Sequence, residues 1–198
     1  MTSTPSRIVA VAAALATAVV VSSCSSTEDH TQHATSTAPA SHAVAAHNAD
    51  DVMFAQMMIP HHQQAVDLAA IAAVHTTNQA VRTLAGKISD EQQPEIQAMK
   101  ALLLQWDVDP DATGDHSGHG AAMQGMVDDA TMTKLKSLNG PQFDTLWLQA
   151  MIGHHQGAIE MAKAEIANGQ SADLTAMAKS MVTAQQAEID QMKQMLGG

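Results

Sequence analysis

Two short segments of the 198-residue chain hold the side chains best suited to chemistry: Met58-Ile59-Pro60-His61-His62-Gln63 and Met151-Ile152-Gly153-His154-His155-Gln156. In each, a thioether stands four residues ahead of the second of two adjacent imidazoles. On a helix that spacing puts Met58 and His62 on one face, with His61 on the same side, and likewise Met151, His155 and His154. A sulfur and imidazole nitrogens brought together in this way can close on a single ion. The donor set points to copper: thioether sulfur is soft and suits Cu(I), while imidazole accepts both Cu(I) and Cu(II). Zinc and nickel would use the histidines but gain little from methionine, and silver is expected to bind as Cu(I) does. The competing reading is that methionines and histidines on an apolar face simply pack and hydrogen-bond. Retention of the whole His-His pair with its Met in both segments favours metal.

Other donors fall into place around these. Gln92, Glu95, Ile96 and Met99 share one helical arc, as do Gln185, Glu188, Ile189 and Met192. A buried carboxylate needs a partner. For Glu95 and Glu188 the natural one is the N–H of a histidine whose other nitrogen holds metal; the alternative is a position at the exposed edge of the stripe. Between the two halves, His116 and His119 flank Ser117 and Gly118, and Met123 and Met126 follow. Such a loop can wrap an ion, or serve as a plain linker. The affinity of these histidine sites is expected to fall towards pH 5, because protons compete with metal near a reference pKa of about 6.5.

Enzyme readings find little support. The Glu-x-x-His pairs of di-iron carboxylate sites are missing, as are His-Glu-x-x-His, Gly-x-Ser-x-Gly and phosphate-binding glycine loops. No catalysis is expected.

The elements that must position these donors are legible from a repeat. Residues 54–69 match residues 147–162 at an offset of 93, and the same offset pairs Gln92-Gln93-Pro94-Glu95-Ile96 with Gln185-Gln186-Ala187-Glu188-Ile189. One offset over two separate segments means a duplicated helical hairpin. The first half reads as helices over about Asp50–His75 and Gln79–Gln105. In the second, Asn139-Gly140-Pro141 opens a helix, Asn168-Gly169 closes it, Ser171 caps the next and Gly197-Gly198 ends it. Asp107–Met126 reads as loop and Asp128–Leu138 as a short helix. Pro60 and Gly153, both poor helix formers, precede the His pairs at equivalent positions. They mark either a bend in each helix or a helix start. Two hairpins with similar apolar faces bury them best against each other, which predicts an all-α fold, a four-helix bundle with a pseudo-twofold axis. Composition agrees: Tyr is absent, and there are 14 Met but only two Phe and two Trp, so the core is aliphatic and thioether. A net charge of −11 disfavours nucleic acid as a partner and favours cations.

The N-terminal end looks like an export signal. Arg7 precedes an apolar run over Ile8–Val21, too short to span a bilayer as a helix, and then Val21-Ser22-Ser23-Cys24. This resembles a lipobox, with residues 1–23 as signal peptide and Cys24 lipidated to anchor the protein to the membrane; ordinary cleavage beside a bystander cysteine is the alternative. No other cysteine exists, which excludes a disulfide framework. Residues 24–49 read as a Ser/Thr/Ala/Pro tether bearing His30, His33, His42 and His47, and residues 50–198 as the duplicated domain, with halves at about 50–105 and 141–196.

The doubled Met-Ile-x-His-His-Gln motif resembles the bacterial domain-of-unknown-function family DUF305, over about Asp50–Leu196. That resemblance implies a ferritin-like four-helix bundle in an exported protein, with copper binding and copper tolerance in some members. By position it implies Met58, His61, His62, Met151, His154 and His155 as ligands, with His116, His119, Met123 and Met126 fitting a His/Met-rich connection. The expected protein is therefore a lipid-anchored copper sequestration or relay protein that exchanges metal with a donor or acceptor protein. Its rival is a helical module whose Met-rich face docks another envelope protein.

Overall fold

A computed structural model of the chain describes residues 46–111 and 124–197. Cys24, the tether histidines before His47, and His116, His119 and Met123 lie outside the described residues. Five helices follow in order: α1 (Ala49–His75), α2 (Gln79–Gln105), α3 (Asp129–Ser137), α4 (Gly140–Asn168) and α5 (Ala172–Met195). Each starts where a short polar side chain or a proline meets the needs of the first turn. Asn48 and Asp51 form a reciprocal capping box on α1, Asn78, Asp128 and Ser171 cap α2, α3 and α5, and Pro141 sits in the first turn of α4.

The fold is the all-helical bundle expected. α1 packs on α2 and α4 on α5 as hairpins, and the hairpins meet along α1 and α4, while α2 and α5 touch only lightly. The Trp147 indole N–H donates to the Leu68 carbonyl at 2.9 Å, pinning α4 to α1. Pro60 and Gly153 lie well inside α1 and α4, so they do not mark helix starts. Lacking an N–H, Pro60 leaves the Gln56 carbonyl without its intrahelical donor.

The core divides into two apolar clusters. One gathers Leu68, Leu84, Ile88, Phe143, Trp147 and Met151; the other gathers Phe54, Met58, Met99, Leu103, Leu174 and Met181. The histidine pairs, with Gln92, Glu95, Gln185 and Glu188, fall between them along every long helix, so a polar layer crosses the middle of the bundle. Among the described residues no helix is long and apolar enough to cross a membrane.

The turn between α4 and α5 is held by a residue of the α1 capping box. Asp51 is wholly buried and accepts the backbone N–H groups of Asn48 (2.6 Å), Gln170 (3.1 Å) and Ser171 (2.9 Å). Burial acts to raise its pKa, but these amides hold it below the usual carboxylate range. Beside it lies the buried Glu165 carboxyl, which in its protonated form hydrogen-bonds the Asp51 carboxylate. Burial, and then the adjacent Asp51 and Asp50, push it up to about 8. From its ordinary value near 4.5 up to about 8, the unfolded chain releases a proton that the folded chain keeps, so this group makes stability fall as pH rises through that window. Glu165→Gln is expected to remove the decline and to stabilise the protein at pH 8 by about 1–2 kcal/mol. Urea denaturation at pH 6 and pH 8 measures both effects; an unchanged slope would assign it to other groups.

Candidate metal centre

The polar layer brings the two His pairs together across the pseudo-twofold axis. The rings of His61 and His154 face each other with centroids 3.8 Å apart and planes tilted by 35°. His62 and His155 turn the other way, towards α2 and α5. His62 Nε2 lies 2.8 Å from Glu95 Oε2, and His155 Nε2 lies 2.8 Å from Glu188 Oε2. Each carboxylate faces the ring Nε2 as an acceptor, and when such a ring is neutral with its proton on Nε2, Nδ1 is left as a bare lone pair. All four histidines are at most 1% exposed.

This burial leaves six ring nitrogens without a well-formed hydrogen bond, both on His61, both on His154, and Nδ1 of His62 and His155, while the Gln124 backbone interacts with the His61 ring and the His61 backbone with the His154 ring. An orphaned buried polar atom costs about 1–3 kcal/mol, so such a cluster of them makes sense as a set of donors kept for a ligand. Among the described residues no three His, Cys, Asp or Glu side chains stand in ready-made coordination geometry. The stacked rings explain this, because they present faces rather than nitrogens to each other. Rotation about the soft terminal torsion of histidine is what would turn the nitrogens onto one ion. Burial, followed by the charges of His62 and His155, lowers His61 to about 3. Burial and the neighbouring histidines likewise keep His154 well below the ordinary range. Both rings are neutral, as metal ligands must be.

The dyads are not equivalent. Glu188 is nearly buried and also accepts from Lys87 Nζ at 2.7 Å, while Glu95 is 25% exposed. The position equivalent to Lys87 in the second half is Ser180. Burial acts to raise Glu188, but the bonds from His155 and Lys87 win and hold it low. Gln92 and Gln185 line the cleft between α2 and α5 beside these carboxyls.

The chain returning from the inter-repeat connection covers the other side of the layer. The Gln64 amide donates to the Val127 carbonyl at 2.9 Å and accepts the Val127 N–H at 2.7 Å. Gly125, at φ +84, lies against the Gly153 and His154 carbonyls and the Gly157 Cα, an approach that leaves no room for a Cβ. Met126 is in this segment and half-buried. Met58 and Met151 are fully buried, but in opposite apolar clusters, on either side of the histidines. Met99, Met181 and Met192 are buried as well. His47 stacks on Trp106 at 4.6 Å, so this last tether histidine packs on the bundle.

Residues 51–196 match the family described as "Domain of unknown function (DUF305)". The chain belongs to the DUF305 family. Solved structures agree in fold. A DUF305 protein of Streptomyces coelicolor, provisionally described as secreted, is 34% identical with a TM-score of 0.71, covering 75% of this chain and 92% of that one. A DUF305 fragment from Deinococcus radiodurans is 32% identical with a TM-score of 0.68, covering 76% and 97%. CopM in its Cu(II)-bound form is 34% identical with a TM-score of 0.62, covering 73% and 93%; CopM has also been solved bound to Cu(I) and to silver. A comparison with curated proteins yields no match.

Proposed function

We propose that this DUF305 protein binds copper in the histidine layer of its bundle and sequesters or relays it outside the cytoplasm, without catalysis, held to the membrane by a lipid on Cys24. The observation that carries the reading is the set of six buried imidazole nitrogens without a well-formed hydrogen bond between the hairpins. The soft-donor chemistry of the chain and its likeness to copper- and silver-bound CopM support the choice of metal. The layer would supply His61 and His154, with Nδ1 of His62 and His155, while Glu95 and Glu188 orient the latter two rings and offset the charge of the ion. Met58 and Met151 border the layer and are the nearest soft donors by sequence. His116, His119, Met123 and Met126, with the tether histidines, would gather the ion or pass it to a partner protein.

The test is titration of the full mature chain with Cu(I) against a competing chelator. Tight, saturable binding is expected, and its pH response separates buried from exposed ligands. Protons compete little at His61, lowered to about 3, or at His154, so a fall in affinity between pH 7 and pH 5 reports on the other donors. Weak or absent Cu(I) binding by the folded chain would overturn the reading.

A further inference from the structure

The bundle is symmetric in its histidines but not at its ends. A cavity of about 330 Å³ opens between the start of α1 and the last turns of α4. Met53, Met57 and Met161 line it, together with Asp50, Glu160 and Glu165. Met53 and Met57 are four apart on α1 and so share a face, and Met161 reaches the same space from α4. Among the described residues no lysine, arginine or histidine lines it. Glu165 is 2% exposed and borders the cavity from beside Asp51.

The duplication supplies an internal control. At the offset of 93 residues, Met53, Met57 and Met161 correspond to Leu146, Ala150 and Leu68, and Glu165 corresponds to Ala72. At that opposite end Leu68 and Ala72 are fully buried, and Leu146 and Ala150 pack half-buried against the same apolar cluster. The four corresponding positions therefore carry neither a thioether nor a carboxyl. Methionine used as gap-filler adapts until the gap is closed; here three methionines surround space that stays open.

We propose that Met53, Met57 and Met161 form a second site, for a soft monovalent cation such as Cu(I) or Ag(I), with Asp50 and Glu160 supplying the negative field. Thioethers are neutral and do not hold hard cations such as magnesium or calcium, which take oxygen ligands. The site uses no histidine of the central layer, and depends on the proposed function only for the choice of ion.

The experiment is Ag(I) titration of the full mature chain labelled with 13C at the methionine methyls, assigned through single Met→Leu variants. The methyls of Met53, Met57 and Met161 are expected to shift together and saturate at one equivalent, and to do so equally in His61→Leu/His154→Leu. The Met53→Leu/Met57→Leu/Met161→Leu variant, which conserves volume, should bind one silver fewer. If that variant fails to fold, Met57→Leu alone should give a weaker response at the other two methyls. Methyls that stay still while silver saturates other sites would overturn the proposal, as would full silver stoichiometry in the triple variant. Methyl shifts that vanish in the histidine variant would also overturn it, since the thioethers would then only report on the central layer. Failure of the histidine layer itself shows differently: the three methyls respond, and the histidine variant binds as much metal as the parent.

Discussion

His61→Leu combined with His154→Leu is expected to abolish copper binding in the central layer, with a loss of affinity of at least about a hundredfold, and at the same time to make the metal-free protein more stable. The two effects have one cause. In the metal-free bundle the facing rings bury four nitrogens without a well-formed hydrogen bond. Replacing them with hydrocarbon of similar size removes that unmet demand. The parent protein recovers that cost only when a ligand satisfies the nitrogens; at a free concentration one thousand times its Kd, a ligand adds about 4 kcal/mol of stability. Urea denaturation with and without Cu(I) reads both. Parent and variant should exchange rank: variant more stable without metal, parent more stable with it. A variant less stable in both conditions would mean that the stacked pair contributes as packing and that its nitrogens are not held for an ion.

The second large effect is steric. Gly157 lies buried on α4, and a Cβ built there runs into the Gln124 carbonyl and the Gly125 Cα, which are backbone and cannot swing aside. Gly157→Ala is expected to destabilise the protein by about 1–3 kcal/mol and to lift residues 124–127 from the histidine layer. Gly153→Ala, one turn earlier, is the control. Nothing lies within 4 Å of its Cβ, so alanine should stabilise α4 by up to about 1 kcal/mol through helix propensity. Urea midpoints of the two variants, compared with the parent, should move in opposite directions. A destabilised Gly153→Ala would show that α4 needs the freedom of glycine ahead of the His pair.

Helix limits were readable because their signals are local. Asn48, Asn78, Asp128, Pro141 and Ser171 each act within one turn, and each helix begins beside its signal. The duplication carried the argument further, to two hairpins and an axis. The arrangement within the polar layer was less accessible. Spacing places His61 and His62 on one side of α1, but the face-to-face meeting of His61 with His154 depends on how the hairpins cross. Four residues of helix advance about 6 Å, which is why Met58 and Met151 enter the apolar clusters on either side while the histidines stay in the layer. The capping box with Asn48 makes Asp51 locally readable, but its hold on Gln170 and Ser171 and its contact with Glu165 span more than a hundred residues of chain. The methionines of the end cavity had a signal of a different kind: they stand where the repeat breaks its own pattern.

Gln64 and Gly157 occupy equivalent positions in the two halves, yet one grips the 124–127 segment by hydrogen bonds and the other by yielding space to it. A single strand of peptide lying across a twofold axis cannot look the same from both sides. Two separate, identical hairpins would each bring such a strand to a place that admits one. Fusion into a single chain resolves that competition: there is one connector per bundle, and selection on the two copies of its docking position is uncoupled. The permanent covalent link thus gives the histidine layer a cover that a freely associating homodimer of hairpins could not assemble.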